Sequence, residues 1–316
     1  MAFQTIQWDS TTITKPGCYG LVPLDLYHDG KICDGPSVSS SGLRRCFDKS
    51  PAHFYCEWGG NPNRIEPPDK PHFVLGRATH HLMLGEPFFA KLFAAQPLEY
   101  PDSKTGELKP WHGSSNYCKA WKAEQDNAGR QILKGEDIEN IKGMARALSS
   151  HPFIKNGALN GQIERSIFWK DKATGLWLKA RPDSIPLDSG DFVDLKTTTS
   201  VQWIDLQKTI FDCGYYQQGA LVRRAAREVL KIENPTFTLI FVEKKPPYCV
   251  RVVTLKDNDL ALGDQANRHA LDTIARCIKS AHWPGPGGER DDAAYIEMPE
   301  WAQKRIEDKI KFAEAA

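Results

Sequence analysis

The sequence predicts an α/β domain: a central mixed β-sheet flanked by helices, with a helical elaboration at the N-terminus. Three features predict it. Residues 161–169, GQIERSIFW, alternate with period two, as a half-buried strand does. Further short apolar runs, bounded by turns, follow at LWLKARPDSIP, DFVDLKTT, PTFTLIFVEK and YCVRVVTL. Stretches with helical periodicity precede the first strand and interleave with the later ones. Hydrophobic residues make up 41% of the 316 positions and charged residues 26%, so a core can form without staples.

Residues 1–70 are rich in Pro, Gly and Ser and read as an extension packed on a core that spans 71–316, in one continuous domain. In that extension SVSSSGLRRCFDKSPAHF predicts a helix with Ser41 as N-cap that ends before Pro51. Residues 72–95 predict a helix bent or broken at Gly85-Glu86-Pro87. Residues 97–118 read as a polar loop and 119–150 as helix, clearest in EDIENIKGMARALSS. After the first strand, KDKATG turns the chain into LWLKARPDSIP, and LDSG turns it again into DFVDLKTT. YYQQGALVRRAAREVL returns to helix, and two more strands are separated by Lys244-Lys245-Pro246-Pro247. A long helix over 257–282 and a short one over MPEWAQKRIEDKI complete the pattern.

Lys and Arg total 41 against 40 Asp and Glu, so any basic surface must be local and offset by acids elsewhere. No apolar run approaches the ~20 residues of a membrane helix. The N-terminus lacks a charged segment followed by an apolar one, so no signal peptide is expected. None of the eight cysteines forms a CxxC pair, which predicts reduced thiols in a cytoplasmic protein and no iron–sulfur cluster.

Acids stand where a sheet should bury hydrocarbon. Residues i and i+2 of a strand share a face, so Asp194 and Lys196 point the same way. A turn centred between Asp188 and Ser189 would set Asp183 opposite Asp194, with Cβ atoms ~5 Å apart on one face. Facing carboxylates repel, and a shared proton or a bound cation relieves the repulsion. Hard oxygen donors suit Mg²⁺ or Mn²⁺. Lys196 beside such an ion can orient or deprotonate a water, and a nearby cation and partial burial both lower a lysine's pKa. Asp188 and Asp191 read as solvated turn charges.

Arg-Pro-Asp followed by Asp-Leu-Lys-Thr-Thr resembles the PD-(D/E)xK nuclease signature, and within it the RecB-like branch. The chain is more closely similar to the phage-type exodeoxyribonuclease VIII (RecE) nuclease domain. YHDGKICDGPSVSSSGLRRCFDKSPAHF resembles that family's serine-rich segment, and Gly76-Arg77-Ala78-Thr79-His80 its G-x-A-x-H helix. Glu164 to Trp169 resembles the strand before the acids, and Trp283-Pro284-Gly285 and Pro299-Glu300-Trp301-Ala302 the C-terminal end. The likeness runs from about residue 16 to 310.

The resemblance implies a restriction-endonuclease-like core and Mg²⁺-dependent digestion of linear double-stranded DNA from the 5′ end, with Mn²⁺ as a substitute. It also implies 3′ single strands handed to a RecT-like annealing protein, and a ring-shaped homo-oligomer. On the matching positions it makes His80, Asp183 and Asp194 metal ligands, joined by the backbone carbonyl of Leu195. Lys196 would handle the attacking water, and Gln218 would sit near the site. Val222 stands where many relatives carry tyrosine, which weakens a DNA-contact role there. Glu164 is a candidate for a second metal, although its alternation with Ile163 points it outward. Arg181, Lys179 and Arg77 are candidates to grip phosphates, as are Arg44 and Arg45 after the serine run. Trp169, Trp177 and Trp203 read as core or rim packing.

Three other functions compete. An iron–sulfur nuclease of the RecB-like branch needs a cysteine triplet after the core, whereas Cys249 and Cys277 lie far apart. A restriction-type endonuclease would cut closed circles. An inert DNA-end-binding module should have lost an acid or the lysine, and this chain keeps them.

Overall fold

Two interruptions break the predicted strands, and both fall at acids. Glu164 has φ 54°, a left-handed conformation that non-glycine residues rarely take, and it splits the 161–169 run. Pro182 has no N–H to contribute to a ladder, and the LWLKARPDSIP run splits around it. At each break the chain leaves one sheet and enters another. The strands expected in one central sheet are therefore shared between two mixed, five-stranded sheets. The structure is a computed structural model that describes residues 4–65, 71–85, 89–187, 189–288 and 293–314. Asp188 and the Glu86-Pro87 part of the expected helix break lie outside the described residues.

In chain order, β1 (Thr5–Gln7), β2 (Gly17–Gly20), α1 (Leu24–His28), β3 (Ser37–Ser39), α2 (Ser40–Asp48) and α3 (Pro51–Glu57) form the N-terminal part. Next come α4 (Pro71–Met83), α5 (Phe89–Leu92), β4 (Phe93–Ala95), β5 (Glu99–Pro101), β6 (Leu108–Pro110), α6 (Asn116–Asn127), β7 (Gln131–Leu133), α7 (Gly135–Ser150) and α8 (Pro152–Lys155). The site-bearing strands are β8 (Gln162–Ile163), β9 (Ser166–Lys170), β10 (Trp177–Ala180), β11 (Ser184–Ile185) and β12 (Asp191–Thr198). They are followed by α9 (Trp203–Asp212), α10 (Tyr215–Ala225) with a π-helical turn to Leu230, β13 (Thr236–Glu243), β14 (Val250–Thr254), α11 (Asp257–Ser280) and α12 (Glu300–Glu314).

One sheet has the order β1-β2-β9-β10-β3 and the other β14-β13-β12-β11-β8. The N-terminal segment thus supplies strands as well as helices. Runs of three or four residues are too short to show the alternation that marks a strand. For the same reason the polar loop at 97–118 hides the β5–β6 hairpin. The helix expected from the serine run starts at Ser40, with Ser39 rather than Ser41 at the N-cap.

The second sheet is covered on both faces, which is why β12 and β13 pair in parallel along their whole length. Phe192, Phe237 and Phe241 pack with Leu221 of α10 and Leu260, Leu271 and Ile274 of α11. Val193, Leu195, Ile240 and Val242 face the other way, against Ala78 of α4 and Met144 and Leu148 of α7. Asp194 and Lys196 share the Phe192 face by alternation and so look toward α10.

The position of α10 depends on its close approach to α11. A Cβ at Gly263 would stand 2.4 Å from the Tyr216 carbonyl oxygen and 3.0 Å from Ala220 Cβ. Gly263→Ala is expected to lower stability by about 1–3 kcal/mol through overpacking, despite alanine's better helix propensity. The urea midpoint measures this. An unchanged or raised midpoint would mean that the helices can part at no cost.

Candidate active site

Strand register assembles the acids. Ser184 pairs with Val193, so the next residues outward, Asp183 and Asp194, face one another as the sequence reading expects. Ser184 also pairs with Ile163 on the other side, and the Glu164 N–H donates to the Asp183 carbonyl (3.1 Å). Glu164, Asp183 and Asp194 therefore stand in a row across three neighbouring chain segments. Because β11 is only two residues long, β12 has an open edge beyond it. Side chains take up that edge at Leu195: its N–H donates to Asp183 Oδ2 (2.6 Å), and its carbonyl lies 2.5 Å from His80 Nε2.

His80 arrives on α4. A Cβ at Gly76 would lie 3.3 Å from Thr197 Oγ1, and Ala78 is buried, so small residues let this helix lie close to β12. His80 Nε2 is 3.3 Å from Asp183 Oδ2, and its Nδ1 is 3.9 Å from Glu164 Oε1. The Arg181 guanidinium holds Glu164 from behind: Nε donates to Oε2 at 2.5 Å, and Nη1 donates to the Val22 carbonyl (2.8 Å). Glu164 thus points into the site, contrary to the outward direction that strand alternation implies, because its left-handed backbone resets the alternation.

At the far end of the row, Asp194 is only 1% exposed. It is ion-paired with Lys196 and accepts from Gln218 Nε2 (2.9 Å). The Lys196 ammonium also lies 5.0 Å from the centre of the Tyr215 ring. Gln218 is therefore beside the site as expected, while Gln217 turns inward, its side-chain Nε2 donating to Asn267 Oδ1 (3.5 Å). Tyr215 was not foreseen. The one signal for it was its place three residues before Gln218, on the same face of the helix.

The electrostatics follow from this crowding. Burial, reinforced by Asp194 and Glu164, pushes the Asp183 carboxyl up to about 8. Burial alone would pull His80 down, but Asp183 and Glu164 outweigh it and lift the imidazole to about 9. Glu164 goes the other way: burial raises it, yet His80 and Arg181 together hold it below the usual carboxylate range. For Lys196 burial again acts downward, and Asp194, Tyr215 and Asp183 prevail and hold it above its ordinary value. The lowered pKa expected of a basic Lys196 is not what this environment produces.

The remaining candidates separate by location. Arg44, Arg77, Arg181 and Gln218 line a cleft of 720 Å³ that has His80, Glu164, Asp183, Asp194 and Lys196 in its wall. Lys179 and Arg45 line a neighbouring pocket instead, and Arg45 is ion-paired with Glu57 (2.6 Å). Trp169 and Trp177 are buried, whereas Trp203 is 58% exposed, with the Arg251 guanidinium 6.0 Å from its ring. Val222 is buried.

The donor chemistry fits a divalent cation. Among the described residues, His80, Glu164 and Asp183 each offer a ligand atom within 4.8 Å of the others. The two carboxylates, with the Leu195 carbonyl nearby, are oxygen donors that suit Mg²⁺ or Mn²⁺, and the imidazole adds a nitrogen donor that transition-metal ions favour. Asp194, expected as a ligand, stands outside this group with its oxygens turned to Lys196 and Gln218.

Facing aspartates on adjoining strands, with a lysine two residues beyond the second, are the arrangement of a PD-(D/E)xK nuclease fold. Residues 39–295 match the family described as PDDEXK-like domain of unknown function (DUF3799), and the chain belongs to it. No curated relative matches the chain. The fold is similar to that of a candidate exonuclease from Eubacterium rectale, at 15% identity over 83% of this chain and 90% of that one, with a TM-score of 0.55. A phage-related exonuclease from Haemophilus somnus is 12% identical over 65% of this chain and 95% of that one, at a TM-score of 0.30 too low to carry an argument. No helix among the described residues is long and apolar enough to cross a membrane.

Proposed function

We propose that this protein is a divalent-metal-dependent exonuclease that hydrolyses phosphodiester bonds of linear double-stranded DNA. The observation that carries this reading is the row Glu164–Asp183–Asp194, closed by His80 at one end and Lys196 at the other, in the wall of one cleft. Mg²⁺ is the ion proposed, with Mn²⁺ as a substitute, held by His80, Glu164 and Asp183 with the Leu195 carbonyl beside them. Bound there, the ion would polarise the scissile phosphate and lower the pKa of an attacking water.

The chain's own groups do the rest. Lys196, kept charged by Asp194, donates hydrogen bonds and places positive charge at the reacting phosphate and its water. Its role is therefore orientation and charge stabilisation rather than proton abstraction. Gln218 and Tyr215 fix the Lys196–Asp194 pair. Arg181 aims Glu164. Arg77 and Arg44, on the cleft wall, are placed to meet backbone phosphates. The resemblance in sequence supports the finer proposals: 5′-to-3′ digestion, 3′ single strands for a RecT-like annealing partner, and a ring of identical subunits.

The test is a time course on duplexes labelled at the 5′ or the 3′ terminus, with a closed circle as control, in Mg²⁺ and in chelator. Nucleotides should leave linear DNA only, and only with the metal. Cutting of the circle would favour a restriction-type endonuclease. No release under any divalent metal would leave an inert end-binding module.

A pH dependence follows from the site. Asp183 and His80 stand 3.3 Å apart and both are raised, so the pair keeps a proton near neutral pH in the metal-free protein, and a cation must displace it. Affinity for Mg²⁺ or Mn²⁺ is therefore expected to rise with pH through the 7–9 window, by about 10-fold or more. Calorimetry in buffers of different ionisation enthalpy should show proton release on binding. An affinity flat from pH 6.5 to 9 would contradict it.

A further inference from the structure

Beside the catalytic cleft lies a second pocket, of 250 Å³, with a buried cation at its wall. His28, Ser39 and Ser41 line both cavities, so the pocket is a side branch of the cleft. In β10 and β3, Trp177 pairs with Ser37 and Lys179 with Ser39, so Ser37, Ser39 and Lys179 share one face of the sheet. Lys179 is 3% exposed and Ser37 is 1% exposed. The Lys179 ammonium reaches the backbone carbonyl of Asp29 (3.3 Å) and lies 5.3 Å from the centre of the Tyr27 ring, and among the described residues no carboxylate comes within ion-pair distance of it. Ser37 Oγ makes only a long contact, 3.5 Å, to the Gly30 carbonyl. Arg64 and Arg45 add basic lining, and among the described lining residues the carboxylate is Glu57, engaged by Arg45 at 2.6 Å. Ser41 and Gly42, in the first turn of α2, also line the pocket, and Ser39 gives that helix no side-chain cap.

A buried ammonium normally has a carboxylate partner, because an isolated charge in low dielectric is strongly disfavoured. Here burial pushes Lys179 down to about 8, Cys33 and Asp29 offset only part of that, and an anion in the pocket would oppose it further. The surroundings favour a phosphate: serine hydroxyls, the first turn of a helix and basic side chains converge on one small space. The volume lies below the ~300 Å³ lower end of ordinary small-ligand pockets, so it takes a chain end and not a strand running through. A basic side chain stands between the Lys179 pocket and the metal-ligand group. Arg181 follows Lys179 on the same face, has the Tyr27 ring 5.9 Å away, and ends on Glu164.

We propose that the Lys179 pocket binds the terminal phosphate of a DNA strand and so seats a chain end beside the scissile bond. This rests on the exonuclease reading, and it supplies what that reading lacks: a reason for end dependence.

The test uses the full chain in chelator, with fluorescence anisotropy of duplexes carrying a 5′-phosphate, a 3′-phosphate or hydroxyls at both ends. The native protein should bind one phosphorylated form about 10-fold tighter than the hydroxyl form, and the preferred terminus identifies the end seated. In Lys179→Met the ratio should fall to about one. That variant replaces an unpaired buried charge with hydrocarbon, so its thermal midpoint should hold or rise, and Ser37→Ala should reduce the ratio without loss of fold. Equal binding of all three duplexes by the native protein overturns the proposal. So does a Lys179→Met variant that still discriminates, since the phosphate would then be read elsewhere. Discrimination without hydrolysis under any divalent metal would keep the pocket and remove the exonuclease reading.

Discussion

Lys196→Ala is expected to lower kcat/KM on linear duplex by about 10³-fold, near 4 kcal/mol of transition-state stabilisation. The size of the effect follows from where the ammonium sits. Asp194 is buried and already holds Lys196 charged, so the amine acts as a fixed positive charge and hydrogen-bond donor. Removing it also leaves a buried carboxylate with Gln218 as its remaining donor, and breaking such a pair costs about 3–5 kcal/mol. Loss of activity and loss of fold must therefore be separated. Lys196→Arg keeps the charge and should keep most of the stability, but a planar fork cannot replace a compact ammonium, and activity should remain low. The double change Lys196→Met with Asp194→Asn should recover stability without activity. Thermal melts and single-turnover cleavage measure the two quantities. Full activity in Lys196→Ala would eliminate the mechanism.

Asp183→Asn is expected to abolish metal-dependent cleavage, by about 10³-fold or more, while making the metal-free protein more stable at alkaline pH. In the folded chain the carboxyl is pushed from 3.8 to about 8 by burial and by the acids on either side. A raised folded pKa means that this group's stabilising contribution is whole below about pH 4 and is lost as pH climbs through 8. An amide has no proton to lose, so the variant escapes the decline. The two proteins should melt alike below about pH 4 and diverge by about 1–3 kcal/mol at pH 9 in chelator. Saturating metal should reverse the order, since a ligand at 100 times its Kd adds about 2.7 kcal/mol to the native protein and nothing to a variant that cannot bind it. A variant that melts lower than the native protein at pH 9 in chelator would show that the acids do not repel.

The hairpin register was legible because a short turn leaves little freedom: fixing Ser189 near the middle forces Asp183 against Asp194, and Lys196 follows by strand period. His80 was legible through Gly76 and Ala78, whose small size admits the helix. Glu164 was harder. Its left-handed turn carries no glycine to announce it, and strand period pointed the side chain the wrong way. The N-terminal strands are three or four residues long, too short for a local pattern, and β2 and β3 find partners in β9 and β10 over a hundred residues away. Lys179 shows the same limit, since its burial depends on Tyr27 and the Asp29 carbonyl, about 150 residues away, which meet its ammonium.

Glu164 and Asp183 each mark a point where the backbone steps between sheets, and their positions are consequently set by the framework on both sides. An incoming ion would find its protein donors already gathered by the backbone, with protons to displace but little main-chain rearrangement to drive. Exchange of one divalent ion for another should then leave the polypeptide unmoved, and selectivity would reside in the hydration preferences of the ions themselves.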